Sequence, residues 1–292
     1  MSNKVRAVVI GAQKCGTSAL WEILSQHPEL ACHSAGQFPR FYDSESPLEE
    51  LERAMGENFT ESQLENKVPV IRDTTIGLEG KEIPNILGYL PDTKVILLVR
   101  DHVERCYSAF VYATNKGFEN DYSDFDSMLD AWEAGNYVAR KPPLLNYIEA
   151  GMYGATAEKA VEAVGRENLM VLRADELRNN QNETCARLFE FLSVGYIEIP
   201  ETIANITGDS RIPFLNKMMR SEGNLKKVVR DSLPRSIRIS LAKTIGRLNT
   251  KKKSSASRIT SAQRERLLEI YKLDRQYMRN VYGIEFKSGL GN

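Results

Sequence analysis

The stretch that most constrains the fold is VRAVVIGAQKCGTSALWEIL, residues 5–24. Its first six residues are a near-continuous apolar run, which predicts a buried strand. Residues 11–16 form a tight polar loop, and a helix opens at Thr17 and Ser18. The loop carries two glycines, Gly11 and Gly16, and one lysine, Lys14. A helix N-terminus aims its backbone N–H groups outward, and the helix dipole favours negative charge there. These residues therefore read as a cradle for a multiply charged anion. Lys14 adds a point charge, and the Thr17 and Ser18 hydroxyls add donors. On this stretch alone a plainer reading stays open: a strand–turn–helix joint whose glycines serve packing.

The spacing separates this loop from two common nucleotide-binding loops. The Walker A pattern places its lysine directly after the last glycine. Here Lys14 comes two residues before Gly16. The G-x-G-x-x-G of a dinucleotide fold is also missing.

A chain of 292 residues is long enough for one large α/β domain or two small ones. Its formal net charge is zero, so no whole-molecule field draws it to nucleic acid or to a membrane surface. No nucleic-acid partner is expected. Cys15, Cys32, Cys106 and Cys185 are scattered, as are His27, His33 and His102, so neither a disulfide framework nor a zinc site is expected. No apolar run approaches about 18 residues, which predicts no membrane span. The N-terminus lacks a signal-peptide layout. A reducing, cytoplasmic setting is the expectation.

Beyond the first helix, which Pro28 prevents from continuing, residues 33–46 read as a long polar and aromatic loop. Helices are predicted over 48–55, 82–90, 124–135, 155–164 and 182–192, with Asp124 as a cap, and strands over 68–71 and 169–172. KVILLV, residues 94–99, is a continuous apolar run between charges, the pattern of a strand buried on both faces of a parallel sheet. A helix begins near Val103. Residues 217–258 are rich in lysine and arginine. One final amphipathic helix is predicted over 261–282, with Leu267, Ile270, Tyr271, Tyr277, Met278 and Val281 on one face. Strands alternating with helices predict an α/β fold with a mostly parallel sheet covered on both faces. Neither an internal repeat nor a second core is evident. The reading is a single domain, residues 1–292, with a core of about 5–215 and a helical C-terminal elaboration.

Arg100 closes the second strong strand, and Ser108 follows it eight residues on, about two helical turns later. In open α/β sheets, ligands bind outside the carboxyl ends of the strands. The 11–18 loop lies at the same edge of its own strand, so both elements face one ligand if the strands are neighbours. An arginine with a serine hydroxyl suits a phosphate monoester. Taken alone, Arg100 reads as readily as an ion-pair partner of Asp101 or Glu104, and Ser108 as a plain helix residue; the first loop tips the reading toward the phosphate.

With both elements in view, the sequence resembles the sulfotransferases that use 3′-phosphoadenosine 5′-phosphosulfate (PAPS). GAQKCGTSAL is similar to that family's 5′-phosphosulfate loop, G-x-x-K-[SCT]-G-T-[ST]. KVILLVRDHVERCYSAF is similar to its 3′-phosphate element, an arginine at a strand end with serine eight residues on. Gly151-Met152-Tyr153 and residues 169–194 resemble two further family segments. The likeness covers about 5–215 and is nearest the carbohydrate-type and bacterial branch. It implies a P-loop-like three-layer fold, with Lys14, Cys15, Gly16, Thr17 and Ser18 holding the 5′-phosphosulfate. It also implies that Lys14 steadies the bridging oxygen and that Arg100 and Ser108 hold the 3′-phosphate. Residues 205–213 resemble the family's loop over the cofactor and bring Arg211 toward the same phosphate. No metal is implied. The implied partner is a small-molecule or carbohydrate acceptor.

The general base departs from the family pattern. Carbohydrate sulfotransferases carry a glutamate after the first helix, and Gln37 stands in the corresponding stretch. An amide cannot take the proton. Asp73, at a predicted strand end, ranks first as substitute, ahead of His33 and Asp43. Its alternative roles are pairing with Arg72 or capping the next turn. Two other readings remain at this point: a P-loop-type nucleotide kinase or hydrolase, and a nucleotide-binding protein without activity.

Overall fold

A computed structural model describes residues 5–34, 36–137, 146–200, 209–210, 250–251 and 259–286. Five strands form one all-parallel sheet: β1 (Ala7–Gly11), β2 (Leu30–Cys32), β3 (Val68–Arg72), β4 (Lys94–Val99) and β5 (Leu169–Arg173). Their order is β2-β3-β1-β4-β5. β1 is central because it is apolar throughout: Ala7, Val8, Val9 and Ile10 are fully buried. Residues 95–99 of β4 are equally buried, as its unbroken apolar run predicts. Each such aliphatic side chain contributes about 1.5–3 kcal/mol by leaving water.

The helices are α1 (Thr17–Gln26), α2 (Pro47–Asn58), α3 (Glu61–Asn66), α4 (Ile83–Gly88), α5 (His102–Lys116), α6 (Phe125–Glu133), α7 (Tyr153–Val164), α8 (Ala174–Asn179) and α9 (Gln181–Leu192). Asp124 caps α6 by accepting the Ser127 N–H, as expected. Two short strands, β6 (Asp209–Ser210) and β7 (Thr250–Lys251), pair antiparallel. No described helix is long and apolar enough to cross a membrane.

Several features differ from the sequence reading, α3 and α8 among them. β2 was hidden because three residues carry no periodicity. The C-terminal helix is two helices, α10 (Ser261–Ile270) and α11 (Lys272–Tyr282), broken at Tyr271. Tyr271 is fully buried and donates to the Ile148 carbonyl at 2.8 Å, so the break serves a tertiary contact. Val281 is 47% exposed, off the buried face. There is also a second apolar cluster beside the sheet core. In it α5 and α6 pack Val103, Phe110, Phe125 and Met128 against Leu267 and Tyr271.

α11 is tied to the middle of the chain by charge. Asp274 accepts the backbone N–H groups of Tyr153 and Gly154 at 3.1 and 2.8 Å and contacts His102 Nε2 at 2.7 Å. A carboxylate at the start of α7 satisfies amides that the helix itself leaves open.

The strand order reverses around β1. The chain leaves β1 toward β2 on one side, while β4 leads to β5 on the other. The carboxyl ends of β3, β1 and β4 are therefore adjacent, where an open α/β sheet forms its crevice.

Candidate active site

β1 and β4 are neighbours, so the condition that joins the two anion elements is met. The Ala12 N–H donates to the Leu98 carbonyl at 2.7 Å and carries the pairing into the loop. Lys14 adopts φ +68 and Gly16 φ +92, both left-handed. For glycine that conformation costs little; for Lys14 it is a locally strained backbone held by the surrounding structure. No side chain caps α1, whereas Asp101 caps α5 by accepting the Glu104 N–H at 3.1 Å. The N-terminus of α1 thus has no side-chain cap, an arrangement that suits an anion. Gly16 and Ser18 are exposed, and Thr17 is buried.

Cys15 turns inward. Its Sγ lies 3.4 Å from Tyr153 Oη, which donates to the Arg100 carbonyl at 2.9 Å. This chain ties the loop to the end of β4 through the tyrosine of the G-x-Y stretch. Burial pushes the Cys15 thiol pKa up, so its contribution to the loop is its backbone.

One line of α5 carries Glu104, Ser108, Tyr112 and Lys116, spaced four apart and all partly exposed, and its Tyr112 end meets the loop. Lys14 Nζ lies 4.1 Å from the centroid of the Tyr112 ring, and Lys116 Nζ lies 6.0 Å from the same centroid. Burial, then Arg100, then Lys116 pull the Lys14 pKa down to about 8. Three cations therefore converge beside the loop. A ligand with several negative charges is the partner that relieves their repulsion.

The carboxyl end of β3 lies on the other side of β1. Asp73 is 2% exposed, and both carboxylate oxygens are engaged. Oδ2 accepts from Tyr42 Oη at 2.8 Å, and Oδ1 accepts the Thr75 N–H at 2.9 Å. Of the two alternatives to a base, pairing with Arg72 is not what this geometry shows. Arg72 turns to the carbonyls of Gly36 and Thr17 and lies over Trp21. Gln37 binds the next residue: its Nε2 donates to Thr74 Oγ1 and its Oε1 accepts the Thr74 N–H.

His33 is buried between Trp21 and Phe38, and its Nε2 accepts the Arg72 N–H. Burial and then Arg72 lower its pKa to about 4. Asp43 pairs with Arg40 at 2.6 Å and is 58% exposed on the side chain. Phe38 and Phe41 are core residues. Arg211 and the basic stretch 217–258, the Thr250–Lys251 backbone apart, lie outside the described residues.

Residues that the sequence reading did not assign to the site include Glu104, Lys116 and Arg264, the last pairing with Glu104 at 2.6 Å. For Lys116 a signal existed, since it continues the four-residue spacing from Ser108. For Arg264, 160 positions from Glu104, none did.

Comparison with known proteins identifies the family of the chain. Over a 246-residue alignment the chain is 22% identical to mouse carbohydrate sulfotransferase 15, covering 64% of this chain and 43% of that protein. It is 27% identical over 190 residues to mouse heparan sulfate glucosamine 3-O-sulfotransferase 3A1, covering 61% and 44%. The chain thus spans less than half the length of these relatives. Among solved structures, a sulfotransferase from Alicyclobacillus acidocaldarius superposes with a TM-score of 0.64 at 17% identity, covering 97% of this chain and 98% of that one. Mouse sulfotransferase SULT7A1 complexed with PAP gives 0.51 at 14% identity, covering 94% and 86%. These two likenesses concern the fold, and they agree with the central parallel sheet flanked by helices. Residues 4–281 match the sulfotransferase domain, and the chain belongs to that family.

Proposed function

We propose that this chain is a PAPS-dependent sulfotransferase that moves a sulfuryl group to a hydroxyl or amine of a carbohydrate or small molecule. The observation that carries the reading is the convergence of Lys14 and Arg100 from the ends of adjacent parallel strands. The cation cluster and the uncapped α1 suit a ligand with phosphates at both ends. When bound, PAPS supplies the activated sulfuryl group. Lys14 and the amides at Gly16, Thr17 and Ser18 hold the 5′ end, and Lys14 steadies negative charge on the leaving oxygen. Arg100 and Ser108 hold the 3′-phosphate. In-line transfer with electrostatic stabilisation follows the logic of phosphoryl transfer.

For the base, Asp73 acts through Tyr42. The acceptor O–H or N–H gives its proton to Tyr42 Oη while the Tyr42 proton passes to Asp73 Oδ2. The support for this route is the 2.8 Å hydrogen bond between them. The carbohydrate class of acceptor rests on the names of the curated relatives.

The test is incubation of the full chain with labelled PAPS and a panel of sugars, phenols, alcohols and amines. Label transfer is expected, with a loss of roughly a hundredfold or more in folded Lys14→Ala. Transfer at the wild-type rate in that variant would contradict the assignment of the loop.

A further inference from the structure

Glu104 stands one helical turn after Arg100 and one before Ser108. That places a carboxylate between the two groups to which the proposed function gives the 3′-phosphate. Left alone, Glu104 would repel a phosphate and compete for Arg100. Its two contacts are unequal. Oε2 lies 3.5 Å from Arg100 Nη2, while Oε1 accepts from Arg264 Nη2 at 2.6 Å. The second is a short charge-assisted hydrogen bond and the first is a loose ion pair.

Arg264 is held firmly enough to do this. It lies in the first turn of α10, whose start is fixed by a capping box between Thr260 and Gln263. One turn on, Leu267 is fully buried in the cluster that α10 shares with α5. The Arg264 side chain is 17% exposed against 43% for Glu104, so the guanidinium is the more enclosed partner.

Resting on the reading that Arg100 and Ser108 take the 3′-phosphate, we infer that Arg264 is a positioning residue for the cofactor. It neutralises Glu104 and draws the carboxylate away from Arg100, leaving that guanidinium free for the phosphate. The C-terminal helices thereby take part in cofactor selection. Loss of Arg264 turns Glu104 into an internal competitor for the 3′-phosphate.

The test is a double-mutant cycle by calorimetry on the full chain. The ligands are 3′-phosphoadenosine 5′-phosphate and 5′-AMP, which lacks the 3′-phosphate. Arg264→Gln is expected to weaken the bisphosphate roughly tenfold, within the range of coupled charged neighbours, and to leave 5′-AMP unchanged. In a Glu104→Gln background the same substitution is expected to cost nothing. Recovery of affinity in the double variant also shows that the chain is folded.

An undiminished loss in the Glu104→Gln background overturns the inference, because Arg264 would then act without Glu104. An equal loss for 5′-AMP overturns it too, as does a bisphosphate affinity unchanged in Arg264→Gln. A wild-type chain that does not prefer the bisphosphate over 5′-AMP overturns the cofactor reading and this inference with it. The two failures are thus read from different proteins.

Discussion

Lys14 Nζ rests 4.1 Å from the centre of the Tyr112 ring. The contact joins the β1–α1 loop to the third turn of α5, and it holds the ammonium of a residue whose backbone is left-handed at φ +68. A cation over an aromatic face is worth about 0.5–2 kcal/mol. Tyr112→Leu is therefore expected to lower kcat by roughly 3- to 30-fold, and Tyr112→Phe, which keeps the ring face, by less than about threefold. Steady-state kinetics at saturating PAPS measures both. Equal losses in the two variants would point to the hydroxyl instead of the ring.

Lys116 shares that ring and lowers the Lys14 pKa by like-charge repulsion. Lys14 must be protonated to hold an anion. With a free-enzyme pKa of about 8, kcat/KM for PAPS should fall as pH rises through that value. Removing the neighbouring charge in Lys116→Gln favours the protonated form, so the alkaline limb should move to higher pH. A pH–rate profile that stays in place would show that Lys116 does not act on Lys14.

Asp73→Asn and Tyr42→Phe each remove one member of the proposed proton route. Both are expected to lower kcat by roughly 10²- to 10⁴-fold while leaving calorimetric affinity for the bisphosphate within about twofold. Wild-type turnover in Asp73→Asn would exclude it as the base. A loss in Asp73→Asn with none in Tyr42→Phe would leave Asp73 acting directly.

Gly154 sits where α11 crosses the start of α7. A Cβ added there would lie 2.7 Å from Tyr277 Cδ1 and 2.9 Å from Asp274 Oδ1. Gly154→Ala should therefore destabilise the chain by about 1–3 kcal/mol, the usual cost of overpacking. Urea unfolding measures this, and an unchanged midpoint would mean that α11 shifts freely.

Much of the fold was legible because its signals are local. The KVILLV run announces a doubly buried strand, and the loop at 11–16 announces a strand–helix joint. Arg100 at the end of β4 and Ser108 on α5 lie on elements that the sequence itself predicts. What stayed hidden depends on distant chain. Tyr271 reads as one more apolar residue of a long helix until its hydroxyl is seen on the Ile148 carbonyl. Asp73 and Tyr42, 31 positions apart, meet only when the 33–46 loop folds over the end of β3. Arg264 looks like a solvated charge on α10, and only packing of α10 on α5 brings it to Glu104.

The central claim is that the loop after β1 and the end of β4 form one site for a nucleotide phosphorylated at both its 3′ and 5′ positions. Titration calorimetry of the full chain with 3′-phosphoadenosine 5′-phosphate, against ATP with magnesium, tests it most directly. The account predicts saturable binding of the bisphosphate at one site per chain, weakened at least tenfold in Arg100→Ala, as expected for loss of a charge-assisted phosphate contact. Tight binding of ATP with magnesium and no response to the bisphosphate would contradict it.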